Sequence, residues 1–150
     1  EGFMEHEEYM RQALELARLA MAEGEVPVGC VIVRDGAVVG RGRNRRETAQ
    51  TALGHAELEA IAQACRTLGG WRLAGCALYV TLEPCPMCAG AIVNARIPAV
   101  YYGAKDDKAG CCGSVLNLFE ERFNHHPRIY GRVLEAECAA LLQEFFQSLR

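Results

Sequence analysis

The sequence predicts an α/β sandwich, in which helices cover a β-sheet. Segments with apolar residues at helical spacing alternate along the chain with short apolar runs that are typical of buried strands. Asp35-Gly36, a favoured two-residue hairpin turn, separates two of these runs. No proline-rich linker, long charge run or internal repeat divides the chain, so we expect residues 1–150 to form one domain. Glu1-Gly2-Phe3, which precede Met4, are given no structural role because they are consistent with a cloning remnant.

The first part of the chain predicts a helix followed by a hairpin. The helix has one apolar face and ends at Gly24, because glycine is favoured just beyond a helix C-terminus. Its apolar positions are Met10, Ala13, Leu14, Ala17, Ala20 and Met21. Val28–Val33 and Ala37–Asn44 then form two antiparallel strands.

The middle of the chain predicts two helices around one strand. A second helix begins at His55 and closes at Gly69-Gly70. Its apolar positions are Leu58, Ile61, Ala62, Cys65 and Leu68. Cys76–Leu82 is a buried strand, and Pro86 opens a third helix that runs to about Arg96, because proline is tolerated in a first turn.

The last part predicts two strands and a helix. Ile97–Gly103 is a strand, Arg128–Leu134 is a short edge strand, and Ala136–Leu149 is a final helix. The inward positions of this helix are Ala139, Leu142, Phe145, Phe146 and Leu149. Four cysteines on apolar faces are expected in the core: Cys30, Cys65, Cys76 and Cys138. The order αββαβαβ(β)α is the basis of the predicted class.

The charge of the chain is unevenly distributed. The net charge is −3, which argues against binding nucleic acid through net charge, since such domains are usually strongly basic. Residues 1–25 contain seven acidic residues and two arginines, a net of −5, so residues 26–150 carry +2. The acidity of residues 1–25 is therefore expected to lie away from the motifs that carry candidate chemistry.

The eight cysteines point to a reducing, cytoplasmic setting. The chain starts acidic, without the basic and apolar regions of a secretory signal, and no run approaches the roughly 20 apolar residues of a membrane span. In such a compartment cysteines are metal ligands, catalytic groups or small core residues rather than disulfides. We expect neither a membrane nor DNA as a partner.

Two short motifs carry candidate chemistry: His55-Ala56-Glu57 and Pro84-Cys85-Pro86-Met87-Cys88. Cys85 and Cys88 are three residues apart at a helix N-terminus, so their sulfurs share one helical face and their thiol pKa values are lowered. With His55 as third ligand they fit a zinc site that keeps a position for water, whose pKa zinc brings to about 7. Glu57 is the candidate that takes the water's proton and passes it to a leaving group.

Two other interpretations of the cysteine pair remain open. One is a closed structural zinc site, for which Cys111-Cys112 are the obvious extra ligands. The other is a redox dithiol, which does not account for His55-Ala56-Glu57. The combination of His-x-Glu with Pro-Cys-x-x-Cys is the signature of zinc-dependent deaminases.

From about Tyr9 to Leu149 the chain resembles the bacterial tRNA adenosine deaminases, which convert the wobble adenosine of an anticodon to inosine. Several of the matching segments are outside the zinc motif. This matters because the zinc motif is shared by deaminases of different bases and therefore identifies only the chemistry. They are Glu25-Val26-Pro27-Val28-Gly29, Gly42-Arg43-Asn44-Arg45, His55-Ala56-Glu57, Thr81–Ile92, Gly103-Ala104-Lys105-Asp106, Phe123-Asn124-His125 and Glu137–Leu142.

The resemblance implies a cytidine deaminase-like three-layer α/β/α sandwich with a five-stranded mixed sheet, in a homodimer whose active sites lie near the interface. It also implies one Zn²⁺ per subunit, held by His55, Cys85 and Cys88. The implied reaction is attack of zinc-activated water on adenine C6 while Glu57 protonates N1 and then the departing amine, so that ammonia leaves.

The resemblance further implies contacts to the substrate. Val28 packs on the flipped base, Asn44 hydrogen-bonds it, the Ala56 N–H meets its ring, and the Pro84 carbonyl faces its amino group. Asp106, Asn124, His125 and Phe145 match positions that contact the anticodon loop. On residue pattern alone, Asn44 could instead end a strand, and Val28 and Phe145 could be core.

The mouth of the expected pocket is rich in basic residues, which suit phosphates but are also ordinary on a solvated surface. They are Arg41, Arg43, Arg45, Arg46, Lys105 and Lys108. The chain departs from the family pattern at Ala109, at Cys111-Cys112 and in the segment Ser114–Arg128, which contains Asn124 and His125. For Cys111-Cys112 we expect loop packing rather than a second metal.

Two other functions share parts of this pattern. A deaminase of free guanine, cytosine or a nucleotide would use the same zinc ligands and Glu57. A noncatalytic RNA-binding protein with structural zinc would need the ligands but not the glutamate.

Overall fold

The computed structural model describes residues 3–149, Phe3 by its backbone alone, so Glu1 and Gly2 lie outside the described residues. Four helices and five strands alternate along this part of the chain. They are α1 (Phe3–Ala22), β1 (Gly29–Arg34), β2 (Ala37–Arg43), α2 (Ala56–Leu68), β3 (Cys76–Leu82), α3 (Pro86–Ala95), β4 (Ala99–Ala104), β5 (Arg128–Tyr130) and α4 (Glu135–Ser148), with a short 3₁₀ helix at Leu118–Glu120. Within residues 3–149, no helix combines the length and apolarity needed to cross a membrane.

The strands form one mixed sheet in the order β2-β1-β3-β4-β5. β1 pairs antiparallel with β2 and β3, whereas β3, β4 and β5 are parallel. Side chains alternate across the sheet: Cys30 and Ile32 pack with α2 and α3, while Val31 and Val33 pack with α1 and α4. The predicted five-stranded mixed sheet with helices on both faces is confirmed.

The predictions for α1 and the hairpin are confirmed. The predicted apolar positions of α1 are buried, except Met21, which is partly buried. At the turn, Asp35 and Gly36 have φ angles of 51° and 77°, the paired positive values that a two-residue hairpin turn needs. A right-handed strand twist favours this turn, which explains why two residues suffice to predict it.

The predicted buried face of α2 is wrong. Leu58, Ile61, Cys65 and Leu68 are only partly buried and Ala62 is exposed, whereas the buried positions are Ala56, Glu57, Ala60 and Ala64. The reason is the neighbouring strand: a Cβ on Gly40 would lie 2.3 Å from the Ala60 carbonyl oxygen, and one on Gly42 would lie 2.1 Å from that of Ala56. The helix backbone therefore lies directly on β2, and only small residues fit between them.

The predicted inward face of α4 is also partly wrong. Phe146 and Leu149 are 48% and 67% exposed, and the buried positions are Cys138, Leu141 and Phe145. Ala139 and Leu142 are partly buried against the core. A helix of this composition has two adjacent apolar stripes, and only the packing on β4 decides which one faces inward.

Several predicted boundaries shift, most of them by one residue. β4 begins at Ala99 rather than Ile97, β1 begins at Gly29 rather than Val28, and the edge strand stops at Tyr130 rather than at Leu134. Of the four cysteines assigned to the core, Cys30, Cys76 and Cys138 are buried and Cys65 is partly buried. The N-termini of α2 and α3 meet beside the carboxyl end of β3, an edge where α/β proteins commonly bind ligands.

Candidate active site

His55, Cys85 and Cys88 meet where α2 and α3 begin. His55 precedes the first residue of α2, and Cys85 precedes Pro86, the first residue of α3. The His55 Nδ1 atom lies 3.6 Å from Cys85 Sγ and 3.5 Å from Cys88 Sγ, and one donor atom from each residue falls within 4.8 Å of the others. The sequence-predicted ligand set is therefore assembled in space and can hold a metal ion.

The two thiols of this group differ in pKa, so the expectation that both values are lowered holds for Cys85 and is wrong for Cys88. The pKa of Cys85 is lowered to about 4, because Cys88 and His55 hydrogen-bond to its sulfur, which outweighs burial. The pKa of Cys88 is raised, because it donates to Cys85 and is buried. The pKa of His55 is raised by its hydrogen bond with Cys85, against the effect of burial. Cys85 and Cys88 thus share one proton between their sulfur atoms, and a bound cation would displace that proton.

Glu57 is a buried carboxyl group beside the ligand set, with 4% of its surface exposed. Burial raises its pKa to about 7; the negative charge of Cys85 acts in the same direction, and the N–H of Glu57 itself opposes the shift. A carboxyl group with a pKa near neutrality can both accept and release a proton, which general acid–base catalysis requires.

A cavity of about 210 Å³ opens next to these residues. It is smaller than the roughly 300–1,000 Å³ of sites for drug-sized ligands, so it suits a group of the size of one base. Its lining residues are Val26, Val28, Asn44, Arg46, His55, Ala56, Glu57, Leu82, Glu83, Cys85, Asp106 and Ala109. Four predicted substrate contacts, Val28, Asn44, Ala56 and Asp106, are in this lining.

Asn44 and Pro84 already have partners within the protein. The Asn44 side chain donates to the Val26 carbonyl oxygen at 3.1 Å and accepts from the Arg46 N–H at 3.2 Å. The Pro84 carbonyl oxygen accepts from the Cys111 N–H at 2.8 Å. A carbonyl oxygen has a second lone pair, and Asn44 has further donor and acceptor capacity, so neither residue is thereby excluded from binding a base.

Three predicted anticodon contacts are outside the cavity lining. Asn124 is exposed, and His125 shares a hydrogen bond of 2.7 Å between its Nε2 atom and the Ile97 carbonyl oxygen. Phe145 is 8% exposed and packs edge-on against Phe146, with 5.3 Å between ring centroids. The core alternative for Phe145 therefore fits its position, while Phe146 presents the exposed ring.

Of the four arginines near the mouth, two are paired with carboxylates, and Arg41 is exposed. Arg43 forms an ion pair of 2.9 Å with Glu23, and Arg45 lies 3.1 Å from a Glu59 carboxylate oxygen. Arg46 instead lines the cavity. Lys105 and Lys108 are exposed.

Two buried glutamates were missed as site residues from the sequence. Glu25, 1% exposed, accepts hydrogen bonds from the N–H groups of Glu47 and Thr48, and Glu83, 2% exposed, lines the cavity. Glu25 also corrects the expectation that the acidity of residues 1–25 lies away from the site. No sequence pattern marks either residue, because the partners of both carboxylates are mostly backbone N–H groups far away along the chain.

The MafB19-like deaminase family matches residues 4–150 of the chain. A tRNA-specific adenosine deaminase of Bacillus subtilis (strain 168) is 51% identical over 143 residues, which cover 95% of this chain and 89% of the relative. A tRNA-specific adenosine deaminase of Agrobacterium fabrum (strain C58) is 45% identical over 147 residues, or 97% of each chain. The chain belongs to the tRNA-specific adenosine deaminase family.

Solved structures similar to this chain agree with the family assignment. A structure from a study of A-to-I editing by tRNA:A34 deaminases at the wobble position of transfer RNA has a TM-score of 0.87 and 44% identity, covering 89% of the deaminase and 98% of that chain. A guanine deaminase of Bacillus subtilis has a TM-score of 0.66 and 35% identity, covering 97% and 93%. The cytidine deaminase-like fold is confirmed, and it is shared by deaminases whose names specify different bases.

Proposed function

We propose that this deaminase hydrolyses adenosine to inosine at the wobble position of tRNA anticodons. The observation that carries the proposal is the arrangement at the cavity: the buried carboxyl group of Glu57 lies beside the His55, Cys85 and Cys88 donors in a space suited to one base. Relatives named tRNA-specific adenosine deaminase support the choice of adenosine in tRNA. The net reaction replaces the amine on C6 by an oxygen atom from water and releases ammonia.

The donor set fits Zn²⁺, because two thiols and one imidazole are typical zinc ligands and three protein ligands characterise a catalytic site. His55, Cys85 and Cys88 would hold one ion per subunit. When bound, zinc lowers the pKa of water to about 7 and so supplies a nucleophile at neutral pH.

Glu57 moves the protons. Its carboxylate accepts a proton from the attacking water and delivers it to N1 of the adenine. It then takes the remaining proton of the hydroxyl group added at C6 and passes it to the departing amine, so that C6 keeps a carbonyl oxygen and ammonia leaves. A pKa near 7 suits both directions of transfer, and burial of the side chain keeps these protons from exchanging with bulk solvent.

Four residues orient the base. Val28 supports one face of the ring, and Asn44 hydrogen-bonds its edge. Ala56 begins α2, so its N–H has no acceptor within the helix and is free to meet the ring. The second lone pair of the Pro84 carbonyl oxygen faces the amino group.

Recognition outside the cavity involves Asp106 at the rim and Asn124, His125 and Phe145 further along the chain, where the family contacts the anticodon loop. Such contacts read splayed bases by stacking and hydrogen bonding. A homodimer and a cytoplasmic location belong to the same proposal, and all eight cysteines are free thiols, as a reducing compartment requires. The mass of the purified protein in solution, measured by light scattering, tests the dimer.

The decisive experiment is to incubate total tRNA with the protein and to sequence the wobble position for adenosine-to-inosine change, with a metal-stripped control. The free-base alternative, favoured by the guanine deaminase neighbour, is tested alongside with guanine, cytosine and nucleotides. Inosine at the wobble position only with metal supports the proposal. Turnover of free substrates alone overturns it.

A further inference from the structure

Glu83 is a buried charge that the proposed reaction does not use. It follows β3 directly and precedes the Pro84-Cys85 motif, and only 2% of its surface is exposed. One carboxylate oxygen accepts from the Asp106 N–H at 3.0 Å and from the Ser114 hydroxyl. The other accepts from the N–H groups of Cys112 at 2.9 Å and Ser114 at 3.0 Å.

These four donors match the acceptors of a carboxylate. The Ser114 hydroxyl and the N–H groups of Asp106, Ser114 and Cys112 supply two hydrogen bonds to each of its oxygens. Both oxygens are occupied by donors, so the group is poorly suited to exchange protons with a substrate. Its geometry is that of an anchor rather than of a second proton carrier.

The anchored segment, residues 106–114, forms part of the cavity wall. Asp106 and Ala109 line the cavity, and the Cys111 N–H donates to the Pro84 carbonyl oxygen at 2.8 Å. Three of the four contacts to Glu83 come from the backbone, so the shape of the segment depends little on which side chains it carries.

Gly110 fits the same arrangement. A Cβ at this position would lie 2.3–2.5 Å from three atoms of the Glu83 carboxylate. The carboxylate therefore fills the space that a side chain at residue 110 would need, and the segment closes tightly around it. Glu83 and Gly110 can be perturbed separately, from opposite sides of the same contact.

We propose that Glu83 is a positioning residue that holds residues 106–114 in the shape that lines the cavity, and thereby sets the affinity of the deaminase for its RNA substrate. Because Asp106 belongs to this wall, loosening the segment weakens substrate binding while His55, Glu57 and the cysteines keep their places. The effect on the substrate rests on the proposed tRNA deamination, whereas the effect on the segment does not.

The test compares Glu83→Gln with Asp35→Asn, which removes the same charge from the exposed β1–β2 turn, outside the cavity lining, where Asn-Gly is favoured as much as Asp-Gly. In Glu83→Gln an amide N–H₂ faces N–H donors, so part of the network is lost. We expect KM for an anticodon stem-loop to rise about tenfold, the equivalent of about one net hydrogen bond, with kcat changed less than about threefold. Asp35→Asn should leave both unchanged.

Two readouts do not depend on turnover. Hydrogen exchange of the Cys112 and Ser114 amides should accelerate about tenfold or more in Glu83→Gln, while amides of β1 stay protected. The zinc content should remain one per chain. Gly110→Ala should reproduce the faster exchange, and Ser114→Ala, which removes one donor of four, should show a smaller change in the same direction.

The outcomes separate the two proposals. If wild-type protein does not deaminate the stem-loop, the proposed function fails, and hydrogen exchange still decides whether Glu83 holds the segment. Unchanged exchange in Glu83→Gln overturns the inference. So does a loss of zinc in parallel with activity, or a fall in kcat at constant KM, because Glu83 would then act on the ligands or on the chemistry.

Discussion

The carboxylate of Glu25 accepts a hydrogen bond of 2.6 Å from the backbone N–H of Thr48, and a second, of 3.1 Å, from that of Glu47. This contact ties the α1–β1 connection to the segment after Asn44, in which Arg46 lines the cavity. Two segments that contribute to the cavity lining are thus each held by a buried carboxylate that binds backbone N–H groups.

We predict that Glu25→Gln lowers the free energy of unfolding by about 1–3 kcal/mol at pH 7, because a charged acceptor of two hydrogen bonds becomes neutral. Burial and the nearby Glu23 charge oppose ionisation, yet the hydrogen bonds prevail and the pKa of Glu25 is lowered in the folded protein. A carboxyl group with a lowered pKa stabilises the folded protein at pH values above its unfolded-state pKa, which is near 4.5. This stabilisation is lost as the pH falls through the folded-state pKa.

Urea unfolding at several pH values checks this prediction. The difference between wild type and Glu25→Gln should be largest above about pH 5 and should shrink below about pH 4. Glu47→Gln, at an exposed side chain, is the control. A difference that is independent of pH would contradict the assigned role.

Glu57→Gln should abolish inosine formation, with a loss of about 100- to 10,000-fold, because the amide cannot carry protons between water, N1 and the leaving amine. Zinc content and affinity for the stem-loop should be retained, since Gln fills the same space. Inosine is measured by sequencing, zinc by elemental analysis and binding by fluorescence anisotropy. Wild-type activity in this variant would remove Glu57 from the mechanism and favour a noncatalytic role for the metal.

Gly42→Ala should destabilise the fold by about 1–3 kcal/mol through overpacking. The new Cβ would lie 2.1 Å from the Ala56 carbonyl oxygen and 2.7 Å from the Ala60 nitrogen, so α2 must move away from β2. Because His55 and Glu57 lie at the start of α2, zinc affinity should fall as well. Thermal unfolding and zinc titration measure both effects, with Gly70→Ala, where a Cβ meets open space, as control.

Arg46→Ala should weaken binding of the stem-loop and reduce the slope of log K against log salt by about 0.7–0.9, the value for one lost phosphate contact. Arg46 lines the cavity, whereas Arg43 and Arg45 are paired with Glu23 and Glu59. Salt titrations of wild type, Arg46→Ala and the distant Arg66→Ala provide the comparison. An equal slope for all three would show that Arg46 makes no phosphate contact.

Local signals in the sequence predicted the elements and the metal ligands. The Asp35-Gly36 turn and the period of α1 depend on neighbouring residues, and Cys85 and Cys88 share a helix N-terminus through their spacing alone. The faces of α2 and α4 could not be predicted in this way. Each has more than one apolar stripe, and the glycines of β2 and the packing on β4 select the buried one.

The sequence by itself therefore determined the class of fold, the hairpin, and which residues could hold zinc and carry a proton. Only the tertiary structure brought His55, from one helix start, to within 3.6 Å of Cys85 at another. It alone also revealed Glu25 and Glu83 as anchors of the cavity walls, because their partners are backbone N–H groups 22 to 31 residues away. Backbone donors carry no residue identity, so no sequence pattern marks them.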